Sequence, residues 1–145
     1  MSAFLSVSCS RNSETPEAQV RSLIELSAAA AEKKEIRALR DTISEKYSDS
    51  HGQDKKAIES ILRFYFLRNE SIHLLTRIQS ITVTEPKQVQ AILFVAMAGT
   101  PIANSLELEN IRASLHRFEI TFFQYDSKWW VVRAEWRRAE LGDFL

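Results

Sequence analysis

The hydrophobic period of this chain changes once, near Ser71, and that change limits what it can fold into. Upstream, apolar residues recur at helical spacing; downstream, β-branched and aromatic residues fill long runs separated by turn chemistry. Helices gathered at one end and strands at the other describe an α+β domain, because a parallel α/β sheet needs the two to alternate. At 145 residues the chain suits one domain with a self-sufficient core.

The helical half divides into three. Thr15-Pro16-Glu17 offers a hydroxyl cap, proline at the first helical position and an acid beside the positive end of the dipole. Val20, Leu23, Ile24, Ala28 and Ala31 then share a face, so a first helix is expected to about Lys33. A second, with Ile36, Leu39 and Ile43 inward, runs from Glu35 until Tyr47 and the Ser48-Asp49-Ser50-His51-Gly52 loop break it. Asp54 caps a third, whose Ile58, Ile61, Leu62, Tyr65 and Phe66 form another stripe ending near Asn69.

Four strand-like segments follow: Ile72–Val83, Val89–Met97, Leu115–Tyr125 and Trp129–Ala139. Thr84-Glu85-Pro86-Lys87 and Asp126-Ser127 are short enough to join antiparallel neighbours, while Gly99–Asn110 reads as a longer loop with room for a helical turn. The expected core includes Leu23, Ile61, Tyr65, Phe94, Ile120 and Val132.

Composition removes several functions. Basic and acidic residues are equal in number, 19 each, so no net field steers the chain to nucleic acid. Glycine occurs only at Gly52, Gly99 and Gly142, too sparse for a dinucleotide fingerprint or a phosphate-cradling loop. With Cys9 as the sole cysteine, neither an intramolecular disulfide nor a cysteine-rich zinc site can form. No cofactor or metal is expected.

Residues 1–14 form a signal remnant or disordered tail, and residues 15–145 the single domain. Met1 to Ser10 carries no charge, and Phe4-Leu5-Ser6-Val7-Ser8-Cys9 looks like the end of an export signal whose basic start is missing. Small residues before a lone cysteine resemble a lipoprotein cleavage site, so Cys9 is the expected lipidation site. If Met1 is a truncated start, the domain belongs on the periplasmic side of a cell envelope, touching membrane only through a lipid anchor; otherwise it is cytoplasmic.

Three helices leading into a four-stranded meander with a tryptophan-rich last strand resembles the nuclear transport factor 2-like superfamily, particularly its small bacterial lipoprotein-type members. The residues that carry the resemblance are Asp54 through Phe66-Leu67-Arg68, Ile78-Gln79-Ser80-Ile81-Thr82-Val83, and Lys128-Trp129-Trp130-Val131-Val132-Arg133-Ala134-Glu135-Trp136. The resemblance implies a cystatin-like cone, in which a bent antiparallel sheet wraps the first helix around a cavity. Different members use that cavity for catalysis or binding, so fold does not fix function.

Enzymes of the superfamily, such as ketosteroid isomerases, scytalone dehydratases and limonene epoxide hydrolases, bury acids, histidines or tyrosines there, where desolvation lifts a carboxylate towards neutrality. The candidates here are Asp41, Tyr47, His73, Glu119, Arg133 and Glu135. Phe118, Ile120 and Phe122 claim one strand face, which sends Glu119 to solvent with Arg117 and Thr121. In the last strand Trp130, Val132, Ala134 and Trp136 make one face and Trp129, Val131, Arg133 and Glu135 the other. Should the charged face line the cavity, Arg133 can hold a carboxylate ligand beside Glu135 and Tyr47. Should it face outwards, the same residues form an ion pair on a solvated or dimer-forming surface.

His73 and His116 lack a third metal ligand, and His51 lies in a polar loop. Phe123, Tyr125, Trp129 and Trp130 crowd around Asp126-Ser127, more aromatic surface than one helix layer covers, which marks the sheet as a homodimer surface with Arg137-Arg138-Glu140 as its rim. The expected function is a non-enzymatic ligand- or protein-binding domain of the bacterial cell envelope, taking a small apolar or carboxylate ligand. The alternative is a small isomerase- or dehydratase-type enzyme using an acid among Asp41, Glu119 and Glu135.

Overall fold

A computed structural model describes residues 14–145; the lipidation expected at Cys9 lies outside the described residues. The first helix, α1 (Pro16–Glu32), begins where capping chemistry places it: the Thr15 hydroxyl accepts from the Ala18 N–H at 3.2 Å, with Pro16 and Glu17 in the first turn. The second, α2 (Ile36–Arg40), is shorter than the spacing of apolar residues implied, and Ile43 belongs instead to a segment lying beside the sheet. The third, α3 (Lys55–Arg68), is capped by Asp54, whose carboxylate accepts from the Ala57 N–H at 2.9 Å.

Strands β1 (His73–Glu85), β2 (Gln88–Ala98), β3 (Ala113–Tyr125) and β4 (Lys128–Arg138) form one antiparallel sheet in the order β1-β2-β3-β4. The β3–β4 turn places Asp126 and Ser127 at φ 52° and 59°, the paired left-handed conformation whose twist matches a two-residue hairpin. The long loop after β2 holds a 3-10 turn, Ser105–Glu109, and the chain ends in another, Leu141–Phe144.

Register shifts interrupt the ladders between Ile78 and Ser80, between Val83 and Glu85, and between Thr121 and Phe122. Such bulges bend a strand and increase its twist, and the sheet curves around the helices. The third shift also decides the facing of β4. Phe122 pairs with Val131 but Thr121 with Arg133, so Val132 is the extra residue and the alternation restarts after it. Trp129 and Val131 therefore share the concave side with Ala134 and Trp136, where strict alternation had put them opposite.

The central core joins Val20 and Ile24 of α1 to Val89, Ala91, Leu93, Val95, Phe122 and Trp129. A second cluster, Ala30, Leu39, Phe66 and Ile72, ties the three helices to the foot of β1. On the convex side, Phe94 and Ala96 are covered by Leu108 and Phe144 from the two 3-10 turns. Of the expected core, Phe94 is buried; Leu23, Tyr65, Ile120 and Val132 are half-buried; and Ile61 is 41% exposed, because α3 turns it away from the sheet. Among the described residues no helix is long and apolar enough to cross a membrane.

Candidate functional site

The open edge of β4 is where the chain concentrates its polar chemistry. Unpaired strand edges leave N–H and C=O groups exposed, and here the stretch from Thr42 to Ser48 satisfies them. The Val131 N–H donates to the Thr42 carbonyl at 2.8 Å, the Ser44 N–H to the Val131 carbonyl at 2.9 Å, and the Ser48 N–H to the Val132 carbonyl at 3.1 Å. Next along the edge, a side chain replaces backbone. The buried Tyr47 hydroxyl accepts from the Ala134 N–H at 3.2 Å and donates to Asp49 at 2.8 Å.

Asp49 organises the following loop. Its carboxylate also accepts from the His51 N–H at 3.0 Å, the Gln53 N–H at 3.1 Å and the Gln53 amide at 3.0 Å. Burial pushes this carboxyl up, but the bonds from Tyr47, Gln53 and His51 outweigh it and hold Asp49 below its usual range. Burial also raises the Tyr47 phenol far above its ordinary value, with the hydrogen bond to the Asp49 carboxylate and its charge adding to the effect. A phenol so raised is a fixed donor.

Glu135 completes the network from the strand. It accepts from the Ser50 hydroxyl at 2.5 Å and the Ser50 N–H at 2.7 Å, and pairs with Arg133 at 3.1 Å. The two Ser50 bonds, then the Arg133 charge, hold its carboxyl below the usual range despite partial burial. Because Thr121 pairs with Arg133 and Glu119 with Glu135, while Ile120 and Phe122 face α1, these two charged side chains lie on the convex face. The structure thus brings Tyr47 and Glu135 to neighbouring positions through the 49–50 loop and aims Arg133 and Glu135 away from the concave side.

The other candidates are dispersed. Asp41 is exposed and pairs with Arg40 at 3.6 Å, and the acid bonded to Tyr47 is Asp49 instead. Glu119 lies on the convex face and accepts from Gln90 at 3.1 Å. His73 and His116 belong to strands separated by β2. His116, concave and half-buried, is held below its ordinary value by burial and by Arg138. Among the described residues no group of three metal-ligating side chains occurs. Asp49 escaped the sequence reading, although an aspartate three residues before a glycine, opening a polar loop, is a signature of a side chain that caps its own turn.

An open recess lies elsewhere, between α1 and the β3–β4 hairpin. This open groove of about 680 Å³ is lined by Gln19, Leu23, Leu26, Lys87, Lys128 and Trp129, among others. Trp129 is buried at its base, its indole N–H donating to Gln19 at 2.7 Å, so it is core and not part of an exposed aromatic patch. Trp130 points to the opposite side, stacked on Tyr125 with ring centroids 5.1 Å apart and Lys128 4.2 Å above its ring. Leu26, 69% exposed, forms an apolar rim, and Lys87 supplies positive charge. Such an arrangement can hold an amphipathic molecule by apolar contact at one end and charge at the other.

No family model matches the chain, and no curated protein matches it in sequence. Solved structures do. It is similar to Bdellovibrio bacteriovorus Bd1075, with a TM-score of 0.65, 13% identity, and coverage of 85% of this chain and 40% of that one. The chain therefore spans well under two thirds of that protein's length. A Novosphingobium aromaticivorans protein provisionally assigned as a scytalone dehydratase matches with a TM-score of 0.69, 11% identity, and 85% and 83% of the two chains. A nuclear transport factor 2-like protein of unknown function from Pseudomonas putida matches with a TM-score of 0.60, 15% identity, and 83% and 84% coverage. Likeness at these identities is likeness of fold: three helices on a curved four-stranded antiparallel sheet, the nuclear transport factor 2-like fold.

Proposed function

We propose that this chain is a non-enzymatic binding domain whose ligand lies in the groove between α1 and the β3–β4 hairpin. The apolar part of the ligand rests on Leu23, Leu26 and Trp129, and its carboxylate meets Lys87. Lys128 is committed elsewhere: its ammonium donates to the Asp41 carbonyl at 2.9 Å and lies 4.2 Å from the Trp130 ring centroid, on the other side of the sheet. The observation that carries this reading is the state of the acids. Asp49, Glu59 and Glu135 are all held below the usual carboxylate range by hydrogen bonds and cations. A general base at neutral pH needs the opposite displacement. Asp126, the acid of the groove, sits in an exposed turn.

The test is titration with decanoate and with decanol, followed by tryptophan fluorescence and calorimetry. Decanoate binding that weakens about tenfold in Lys87→Gln, with decanol insensitive to the change, is the expected result; a charge contact of this kind contributes about 1.4 kcal/mol. Equal binding of both molecules by both proteins, or none, counts against the groove.

The likeness to the provisional scytalone dehydratase supports a second reading, a small isomerase- or dehydratase-type enzyme with Glu135 as its acid. Turnover of a hydroxy-ketone or ketosteroid substrate that disappears in a folded Glu135→Gln protein would replace the binding reading with this one. The proposal extends to location: the charge-free run ahead of Cys9 supports a domain tethered at the bacterial cell envelope. It extends also to assembly, with Phe123 and Trp130, paired across the convex face, as the centre of a homodimer surface.

A further inference from the structure

The chain is neutral as a whole, but α3 is not. Its 14 residues, KKAIESILRFYFLR, contain four basic side chains and a single acid. That acid is taken up at home: Glu59 pairs with Arg63 at 2.7 Å and Arg40 at 3.8 Å. Lys55 is likewise occupied, 3.0 Å from Glu45. Lys56 and Arg68 remain exposed, and Arg63 is half exposed despite its pair. Asp54 at the N-cap and Glu70 just beyond the helix end are exposed acids beside it along the chain.

The same helix exposes large apolar side chains. Ile61, Phe64 and Leu67 are 41%, 61% and 86% exposed. At about 100° per residue they fall within one arc of the helix centred on Phe64, with Lys56 and Arg63 on one flank and Arg68 within it. Arg68 lies 5.4 Å from the Phe64 ring centroid. On the opposite side α3 is fastened through Phe66, its one buried residue, to Ala30, Leu39 and Ile72. The apolar stripe is therefore additional to the face that holds the helix in the fold.

We infer that the outer face of α3 docks on an anionic lipid surface, with Phe64 and Leu67 entering the headgroup region and Lys56, Arg63 and Arg68 meeting the phosphates. The alternative occupant, a second copy of the chain, fits less well on two counts. Three side chains of this kind offer on the order of 400 Å², about half of the ~800 Å² each partner contributes to an ordinary interface. A two-fold contact would also bring the same patch, with its cations, against itself. A lipid surface requires neither large area nor shape complementarity, and its charge is opposite.

The experiment is sedimentation of the full chain carrying Cys9→Ser, so that no acyl chain contributes, with vesicles of phosphatidylcholine alone or of equal phosphatidylcholine and phosphatidylglycerol. Binding to the mixed vesicles that falls with added salt is expected, with little binding to the neutral ones. Phe64→Ser/Leu67→Ser should abolish it, and Lys56→Glu/Arg68→Glu should weaken it on the order of twentyfold or more. Circular dichroism checks that both variants stay folded, as exposed positions should allow. Absence of sedimentation with the mixed vesicles, or sedimentation unchanged in both variants, overturns the inference. So does a dimer of the parent chain that Phe64→Ser/Leu67→Ser converts to monomer without any vesicle binding, which would give the patch to a protein partner.

Discussion

Removing one oxygen from Tyr47 tests whether a side chain really stands in for a missing strand at the β4 edge. In Tyr47→Phe the ring keeps its packing, but the Ala134 N–H loses its 3.2 Å acceptor and Asp49 its 2.8 Å donor. A net hydrogen bond contributes about 0.5–1.5 kcal/mol, one to a charged group about 1.5–3 kcal/mol, and a buried group left unpaired costs about 1–3 kcal/mol. Asp49 retains its bonds from His51 and Gln53, so its charge is not stranded. The expected loss is about 2–4 kcal/mol, which for a domain of this size lowers the melting temperature by roughly 10 °C. Urea unfolding at pH 7 measures it, with the slope checked for constancy. Asp49→Asn and the double variant complete a cycle in which the two losses should fall short of additive by about 1 kcal/mol or more, because they share one bond. A Tyr47→Phe loss under about 0.5 kcal/mol, at unchanged slope, would mean that water serves the edge equally well and would refute the argument.

Other outcomes follow from the same geometry. Glu135→Gln should cost about 1 kcal/mol at pH 7, since the side chain is partly exposed and one of its Ser50 bonds and the Arg133 charge are weakened together. The folded-state pKa of Glu135 is depressed, so its contribution is present above the unfolded value near pH 4.3 and is lost as pH falls towards the folded one. The gap between wild type and Glu135→Gln in urea should accordingly narrow below about pH 4; a constant gap to pH 3 would remove the ionised carboxylate from the explanation. Ser127→Gly relieves a non-glycine residue at φ 59° in the β3–β4 turn and should stabilise by about 0.5–1 kcal/mol in the same assay, with a loss of stability counting against the turn assignment. Expression of the complete gene in a bacterial host should yield acylated Cys9 in the membrane fraction by mass spectrometry; a soluble protein that keeps Met1 and an unmodified thiol would withdraw the envelope assignment.

The order of elements was legible because each is declared locally. Thr15-Pro16-Glu17 and Asp54 cap their helices by side-chain chemistry alone, and Asp126-Ser127 joins two strands by its length. What was not legible depends on partners distant in sequence. Ile43 continued the apolar spacing of α2, yet Val131, 88 positions on by their residue numbers, draws it into a bridge at the sheet edge. Ile61 continued the stripe of α3, but the helix meets the fold chiefly through Phe66, so only part of that stripe is inward.

The facing of β4 shows why a site is harder to read than a fold. Both faces of the strand begin apolar, and strict alternation forces a choice between them; the extra residue Val132 dissolves the choice by putting Trp129 and Val131 on the concave side and then restarting the count. Nothing in Trp-Trp-Val-Val-Arg announces which residue is extra, since the bulge answers to the pairing with Thr121 and Phe122 across the ladder. One slip of this kind leaves the topology intact but exchanges the inside and outside of every later side chain. Arg133 and Glu135 are on the outside because of it, bound to each other and, through Glu135, to Ser50 of the loop that follows Tyr47. The consequence is that Tyr47, Asp49, Arg133 and Glu135 maintain an edge, and the ligand proposed for this chain is assigned to the groove beside α1.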